Sequence, residues 1–289
     1  MKKKLTLLCF IIGIILISIN ISGFFIPLRS PDVYHQLTRY GTNQSITLTE
    51  QQVWDIVKNT SMDRKQYLIN VNSAINNGVA YYWGRKTCII DGQPDQCVDY
   101  EGIDKFLRVP IYENYILYGM GYILPQHFSR YFFTDYQRGL ERGVGFCDQQ
   151  TVVLDGLLKS QGIESKMIDT PHHFFETALA DPATNEWWVL DPTFGVVIPY
   201  SIEQIQANPE LIRDTFLKGG YSNETIDQAL IQSVFQNHII KIHTDMSEYS
   251  DKFYPFERLS YILIWVIPFC LMLPFIIKTV SIFTTLKCQ

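Results

Sequence analysis

The chain has 289 residues, 47% of them hydrophobic and 18% charged, with a formal net charge of -5. That length can bury one sizeable core. An acidic balance with no lysine or arginine stripe among its aromatics excludes an electrostatic binder of nucleic acid. Its six cysteines include no Cys-x-x-Cys pair, so no metal array is expected.

Residues 5–28 are almost uninterrupted apolar sequence directly after Lys2, Lys3 and Lys4. Such a run crosses a hydrocarbon core of about 30 Å as a helix. A cleavable signal peptide is the competing reading, but Ile21-Ser22-Gly23 lacks an Ala-x-Ala pattern, which favours an anchor over residues 1–28. A second apolar run, residues 259–277, precedes Lys278 and contains Pro268 and Pro274, which a membrane span tolerates and a soluble helix does not. The lysines at the two ends place both in the cytoplasm by the positive-inside rule. The expected organisation is a two-pass protein of the inner or plasma membrane. Residues 29–258 form one extracytoplasmic domain, 259–278 the second span and 279–289 a cytoplasmic tail. A soluble protein with two buried core helices is the alternative.

Beyond a linker at residues 30–45, Thr47-Leu48-Thr49-Glu50 reads as a capping box opening a helix through Trp54, Ile56 and Val57. A second helix is expected over residues 67–75, stopped by Asn76-Asn77-Gly78. Cys88 and Cys97 flank Asp-Gly and Pro-Asp pairs that make a tight turn, so a disulfide is expected in an oxidising compartment, against two unpaired thiols on a hairpin. Residues 112–133 are aromatic, with Tyr115, Tyr118 and Tyr122 at helical spacing. The pattern predicts a helix packing its rings into the core, with a sugar-stacking platform as the alternative.

Gly143 and Gly145 lead into a helix that opens at Cys147, whose face is Val153, Leu154, Leu157 and Leu158 and whose left-handed cap is Gly162. First-turn amides without intrahelical partners stabilise a thiolate over a thiol, so Cys147 reads as a presented nucleophile. Residues 174–179 and 186–190 read as strands of a hairpin turning at 181–185, which brings His172 and His173 opposite Asp191. Adjacent strand residues point to opposite faces, so only one histidine can meet the thiol, and a shift of one residue in register exchanges them. Asp191 would orient the ring and support its charge. The Cys147 amide supplies one oxyanion donor, Gln126 is the candidate for a second, and Glu176 is the candidate positioning residue, with a surface carboxylate as its alternative. His35, His127, His238 and His243 have no ligand spacing, and a metal site of His172, Glu176 and Asp191 is the alternative to the catalytic reading. Further helices are expected over 202–217 and 224–235, broken by Lys218-Gly219-Gly220.

Four pieces, Gly145-Phe146-Cys147, the helix 151–158 running to Gly162, His172-His173-Phe174-Phe175-Glu176, and Trp187 with Asp191-Pro192-Thr193, occur in this order at short spacing. Together they make residues 136–200 resemble the transglutaminase-like superfamily of papain-like cysteine enzymes. The resemblance implies an α+β fold in which the helix carrying Cys147 packs on an antiparallel sheet, with helical additions and two flanking transmembrane helices. It favours His172 as the base, with His173 the alternative, because the family places its histidine four residues ahead of a glutamate. The implied chemistry is a Cys147 thioester formed with a protein or peptide substrate, without a cofactor. Water then completes a protease or amidase reaction and an amine completes transglutamination. Peptide or cell-envelope processing is the implied setting. The rival expectation is a non-catalytic scaffold in cell-envelope or polysaccharide assembly.

Overall fold

The computed structural model describes residues 2–82, 104–170, 173–227, 231 and 240–287. Cys88, Cys97 and His172 lie outside the described residues, so the expected disulfide and the first of the two candidate bases fall there. In chain order the first half forms α1 (Lys2–Gly23), α2 (Val33–Gln36), α3 (Glu50–Lys58), α4 (Arg64–Gly78), β1 (Ala80–Tyr81), α5 (Asp104–Leu107), α6 (Tyr115–Ile123), α7 (Pro125–Phe128) and α8 (Tyr136–Arg142). The middle forms β2 (Val144–Gly145), α9 (Cys147–Ser160), β3 (Ser165–Asp169), β4 (Phe174–Asp181), β5 (Glu186–Asp191) and β6 (Val196–Ile198). The rest forms α10 (Ile202–Ala207), a 3₁₀ turn (Pro209–Ile212), α11 (Arg213–Lys218), α12 (Asn223–Thr225), β7 (Lys241–His243), α13 (Met246–Tyr249) and α14 (Phe253–Lys287). The chain divides into a unit of residues 29–107 and 132–251 and a helical unit of residues 1–28, 108–131 and 252–289.

The first unit is mixed α and β. Its main sheet has the order β6-β5-β4-β3-β7, with every neighbouring pair antiparallel. The expected hairpin is β4 with β5, in the register Glu176 to Leu190 and Ala178 to Trp188, and Asn185 turns with φ 54°. Strand alternation sends Ala178, Ala180, Trp188 and Leu190 to one face, against Leu68, Val71 and Ile75 of α4 and Val153, Leu154, Leu157 and Leu158 of α9. Phe175, Val189, Val196 and Ile198 go to the other face, with Ile202, Ile205 and Phe216. Both faces are covered, which is why β4 and β5 read as nearly continuous apolar runs rather than alternating ones. Gly162 takes φ 72° after α9, as its spacing predicts. The parallel pair β1 with β2 and the strands β3, β6 and β7 were not expected.

Several local readings shift. The capping box at α3 is Thr49 with Gln52, two residues later than expected: Gln52 N–H donates to Thr49 Oγ1 and Thr49 N–H to Gln52 Oε1. Helix α4 opens at an Asp63 cap and runs through Asn76-Asn77-Gly78 before ending at Val79, so the asparagines extend it. The expected helix over 202–217 is divided at Asn208-Pro209, because proline lacks an N–H and disfavours helix in the residue before it. Of the helix expected over 224–235, residues 228–230 and 232–235 lie outside the described residues.

In the helical unit α1 and α14 run antiparallel. Phe10 stacks on Phe275 with centroids 4.3 Å apart, a Cβ on Gly13 would stand 2.8 Å from the Pro268 carbonyl oxygen, and Asn20 Nδ2 donates to the Ile264 carbonyl at 2.6 Å. Lys4 and Lys278 therefore sit at the same end of the pair. Both helices are long and apolar enough to cross a membrane, and α14 continues through Pro268 and Pro274. Only 11% and 17% of their most apolar windows is buried, so neither is the covered core helix of the soluble alternative. The aromatic segment over 112–133 breaks into α6 and α7 at Leu124-Pro125; Tyr118 is half-buried and Tyr122 is exposed, whereas Phe128, Tyr131 and Phe133 beyond the break are buried. The core-packing expectation is therefore corrected at Tyr118 and Tyr122, while the rings after the break do pack inside.

Candidate active site

The approach to Cys147 is built from buried polar side chains. Gly143 ends α8 at φ 66°, a left-handed cap, and releases the chain into β2. Arg142, buried beneath, donates from Nε to the Val144 carbonyl, from Nη1 to the Leu107 carbonyl and from Nη2 to Gln149 Oε1 at 2.7 Å. Gln149 also takes the Phe133 N–H and donates to the Phe133 carbonyl. A Cβ on Gly145 would overlap the Gln149 side chain, so this position requires glycine. Phe146 is then the extended N-cap residue, and Cys147 begins α9 half-buried, against the cluster of Val152, Met167 and Phe174.

Opposite the thiol is His173. Its N–H donates to Thr170 Oγ1, and its carbonyl accepts from the Thr170 N–H and hydroxyl. Thr151 of α9 donates its hydroxyl to the carbonyl of Phe174, the next residue, which fastens the thiol's helix to the histidine's strand. His173 Nε2 lies 2.8 Å from Asp191 Oδ2, with both side chains buried. The Cys147 side chain is near enough to act on this ring together with Asp191, which occupies Nε2. Burial opposes charge on this ring, but the Asp191 carboxylate and the Cys147 sulfur outweigh it and raise the His173 pKa to about 10. The structure thus joins Cys147, His173 and Asp191. The histidine in the pair is the alternative base of the sequence reading, not His172.

Asp191 is held from three sides. Its Oδ1 accepts the N–H groups of Thr193 and Phe194 at 3.0 and 3.1 Å. From α4, buried Asn72 donates to the carbonyls of Asp191 and Val196, and Asn76, one turn later, to those of Pro192 and Thr193. Two asparagines four apart on a helix otherwise packed into the core were the available signal for this clamp, since apolar neighbours bury them and buried amides need partners.

Four tyrosines surround the pair. Burial, with the charges of Cys147 and Asp191 adding to it, raises Tyr40 to about 12, and burial with Cys147 raises Tyr81 further. Tyr221 is raised by burial and Asp191, and Tyr249 by burial, Asp148, Asp169 and Cys147. Tyr221 gives its hydroxyl hydrogen to the Phe194 carbonyl at 2.7 Å, while Tyr40, Tyr81 and Tyr249 stay protonated where they feel the sulfur's charge. Tyr81 arrives there because β1 pairs with β2, an adjacency between residues 80 and 144 that no local pattern carries.

Two sequence candidates lie elsewhere. Glu176 is on the sheet face opposite Phe175, against α9, and is fully buried. Burial and the nearby Asp155 hold its carboxyl well above its ordinary pKa, with Lys159 opposing. The Ser165 hydroxyl and Lys166 amide are close, yet neither Glu176 oxygen completes a hydrogen bond of good geometry. Asp155 instead takes the Ser165 hydroxyl at 2.7 Å and the Lys159 ammonium at 2.8 Å. Glu176 therefore neighbours a residue two turns into α9, not the thiol. Gln126 is exposed on α7 in the helical unit, while Cys147 belongs to the other. An open cleft of about 610 Å³ along Arg29, Tyr34, His35, Thr49 and Glu50 includes no member of the Cys147, His173, Asp191 set. Among the described residues no group of His, Cys, Asp and Glu is arranged to hold a metal. No family model, curated protein or solved structure matches the chain.

Proposed function

We propose that the protein is a membrane-anchored thiol enzyme that transfers or hydrolyses an acyl group through a Cys147 thioester, with a papain-like, transglutaminase-type core. The observation that carries this reading is one imidazole held at 2.8 Å by a buried carboxylate and reaching a half-buried cysteine at the start of a 14-residue helix. In the resting site the ring of His173 holds a proton, and the attacking species is the Cys147 thiolate. The sulfur attacks the carbonyl carbon of an amide or ester, and the oxygen's charge is met by the Cys147 amide at the helix start and a neutral phenol, for which Tyr81, paired with Gly145, is the candidate. Collapse breaks the bond to the leaving group, which departs with the His173 proton. The neutral ring then takes a proton from water or an amine as it attacks the thioester, and the thiolate leaves. Asp191, held by two backbone N–H groups, orients the imidazole throughout.

The membrane part of the reading rests on the two exposed apolar helices and the gathering of Lys4 and Lys278 at one end of the pair. By the positive-inside rule both termini are cytoplasmic and the α+β unit is outside. The substrate proposed is a protein or peptide of the cell envelope. The test is activity-based labelling of the full chain with an electrophilic peptide. Covalent capture at Cys147 that is lost in His173→Ala supports the enzyme. Labelling no faster than that of a surface thiol, in both forms, leaves a non-catalytic scaffold.

A further inference from the structure

The membrane reading accounts for α1 and α14 but not for the segment that packs on them. We propose that the exposed face of α6 and the α6–α7 turn, formed by Tyr118, Tyr122, Ile123 and Leu124, lies in the lipid headgroup and upper acyl region, so that the bilayer is its partner. The proposal rests on the membrane reading of the two long helices.

This face is apolar and uncovered. Tyr122 is 59% exposed, Ile123 72% and Leu124 37%. Residues 114–129 contain no aspartate, glutamate, lysine or arginine. A contiguous apolar patch of this kind is costly in water and favourable in lipid.

The opposite side of the segment fixes its level along α14. Asn114 Nδ2 donates to Ser260 Oγ at 2.9 Å, Tyr115 donates its hydroxyl to the Ile264 carbonyl at 3.2 Å, and Tyr131 donates its own to Glu257 Oε2 at 2.7 Å. Phe128 meets the rings of Phe253 and Phe256. These contacts hold α6 beside residues 253–264, the opening turns of the apolar stretch Phe253–Val280. At the same level Phe24, 76% exposed, stacks on Trp265, and Phe25 beside it is 81% exposed. Aromatic rings grouped at one height along a span are the signature of the membrane–water boundary.

The backbone of the segment is suited to that place. Asn114 Oδ1 accepts the N–H groups of Ile116 and Leu117, and the turn into α7 is closed by Leu124 N–H on the Met120 carbonyl and Phe128 N–H on the Leu124 carbonyl. Few polar groups are left for hydrocarbon to strand. Arg108 donates to the Tyr122 hydroxyl at 3.2 Å and lies over its ring, where a guanidinium extends toward lipid phosphate while its stem covers apolar surface.

The test places an environment-sensitive fluorescent amino acid, by codon suppression, at Ile123, at Phe269 in the span and at Leu217 in the α+β unit. The full chain is reconstituted in phosphatidylcholine and phosphatidylglycerol vesicles with brominated acyl chains. The expected result is quenching at both Ile123 and Phe269. It should be stronger at Ile123 when the bromines are near the headgroup and stronger at Phe269 when they are near the chain end, with Leu217 unquenched. Quenching at Phe269 without quenching at Ile123, or equal quenching at Ile123 and Leu217, overturns the proposal and leaves the spans intact. Quenching at Ile123 that appears only when protein is diluted in lipid means that a second copy covers the face, which also overturns it. No quenching at Phe269 removes the membrane reading itself, and the proposal with it.

Discussion

His173 carries two predictions. Replacing it with alanine should slow alkylation of Cys147 near neutral pH and lower turnover by about 10²–10⁴-fold, since both the imidazolium partner and the general base are lost. His172→Ala should leave both nearly unchanged, and the reverse result would return the base to His172. Asp191→Asn should give an intermediate defect, because an amide still holds the ring but no longer supports its charge. The second prediction concerns pH. Because the His173 pKa is raised from 6.5 to about 10 in the folded chain, the stability it contributes is complete below pH 6.5 and is lost as pH rises through 10. The difference in melting temperature between wild type and His173→Gln, followed from pH 6 upward, should therefore shrink across this window. A difference that grows with pH would mean that the ring is neutral in the fold.

At the scale of elements, α4 and β2 position the site without entering it. Asn72→Ala removes the donor to the Asp191 and Val196 carbonyls in a buried setting, at a cost of about 1–3 kcal/mol in stability. Activity should fall with it, and since Cys147 is untouched, its thiol should still be alkylated. Gly145→Ala drives a methyl into Gln149, whose amide bridges Arg142 and Phe133, and overpacking of this kind costs about 1–3 kcal/mol. Denaturant midpoints of the full chain in detergent check both. If Gly145→Ala leaves the midpoint unmoved, the close approach of β2 to α9 is not a constraint. Tyr81→Phe removes a neutral donor near the sulfur and should reduce turnover while leaving substrate affinity nearly unchanged.

For the whole molecule, the antiparallel course of α1 and α14 brings the two termini to one end of the helix pair. Reporters fused at either end should both be active in the cytoplasm, and protease added from outside should cleave only between the spans. A C-terminal reporter active outside would overturn this topology. Gly13→Leu should loosen the pair, because the position faces the Pro268 carbonyl at a distance no side chain can share. In lipid, where helices gain little from burying apolar surface, close backbone approach at small residues is the main attraction left.

What the sequence determined by itself is whatever short-range chemistry decides. Length and hydropathy marked both long helices, the glycines before Cys147 and at position 162 bracketed α9, and two apolar runs around a Pro-Ala-Thr-Asn turn made the β4–β5 hairpin. Aspartate and histidine were legible as a pair for the same reason, since a hairpin brings its two ends together whatever the rest of the chain does. The tertiary structure brought His173 to Asp191, because one residue of register exchanges the faces of a strand, and the packing of Phe175 and Val189 on one side and Ala178 and Leu190 on the other fixes that register. It also decided that Asn72 and Asn76 clamp Asp191 and that Tyr81 lies by the sulfur, contacts that span more than sixty residues and leave no local periodicity. The rings of α6 show the same limit from the other side. Helical spacing records that Tyr115, Tyr118 and Tyr122 share a face, but whether that face meets a core or lies open depends on where the neighbouring helices pass, and here it lies open at Tyr122.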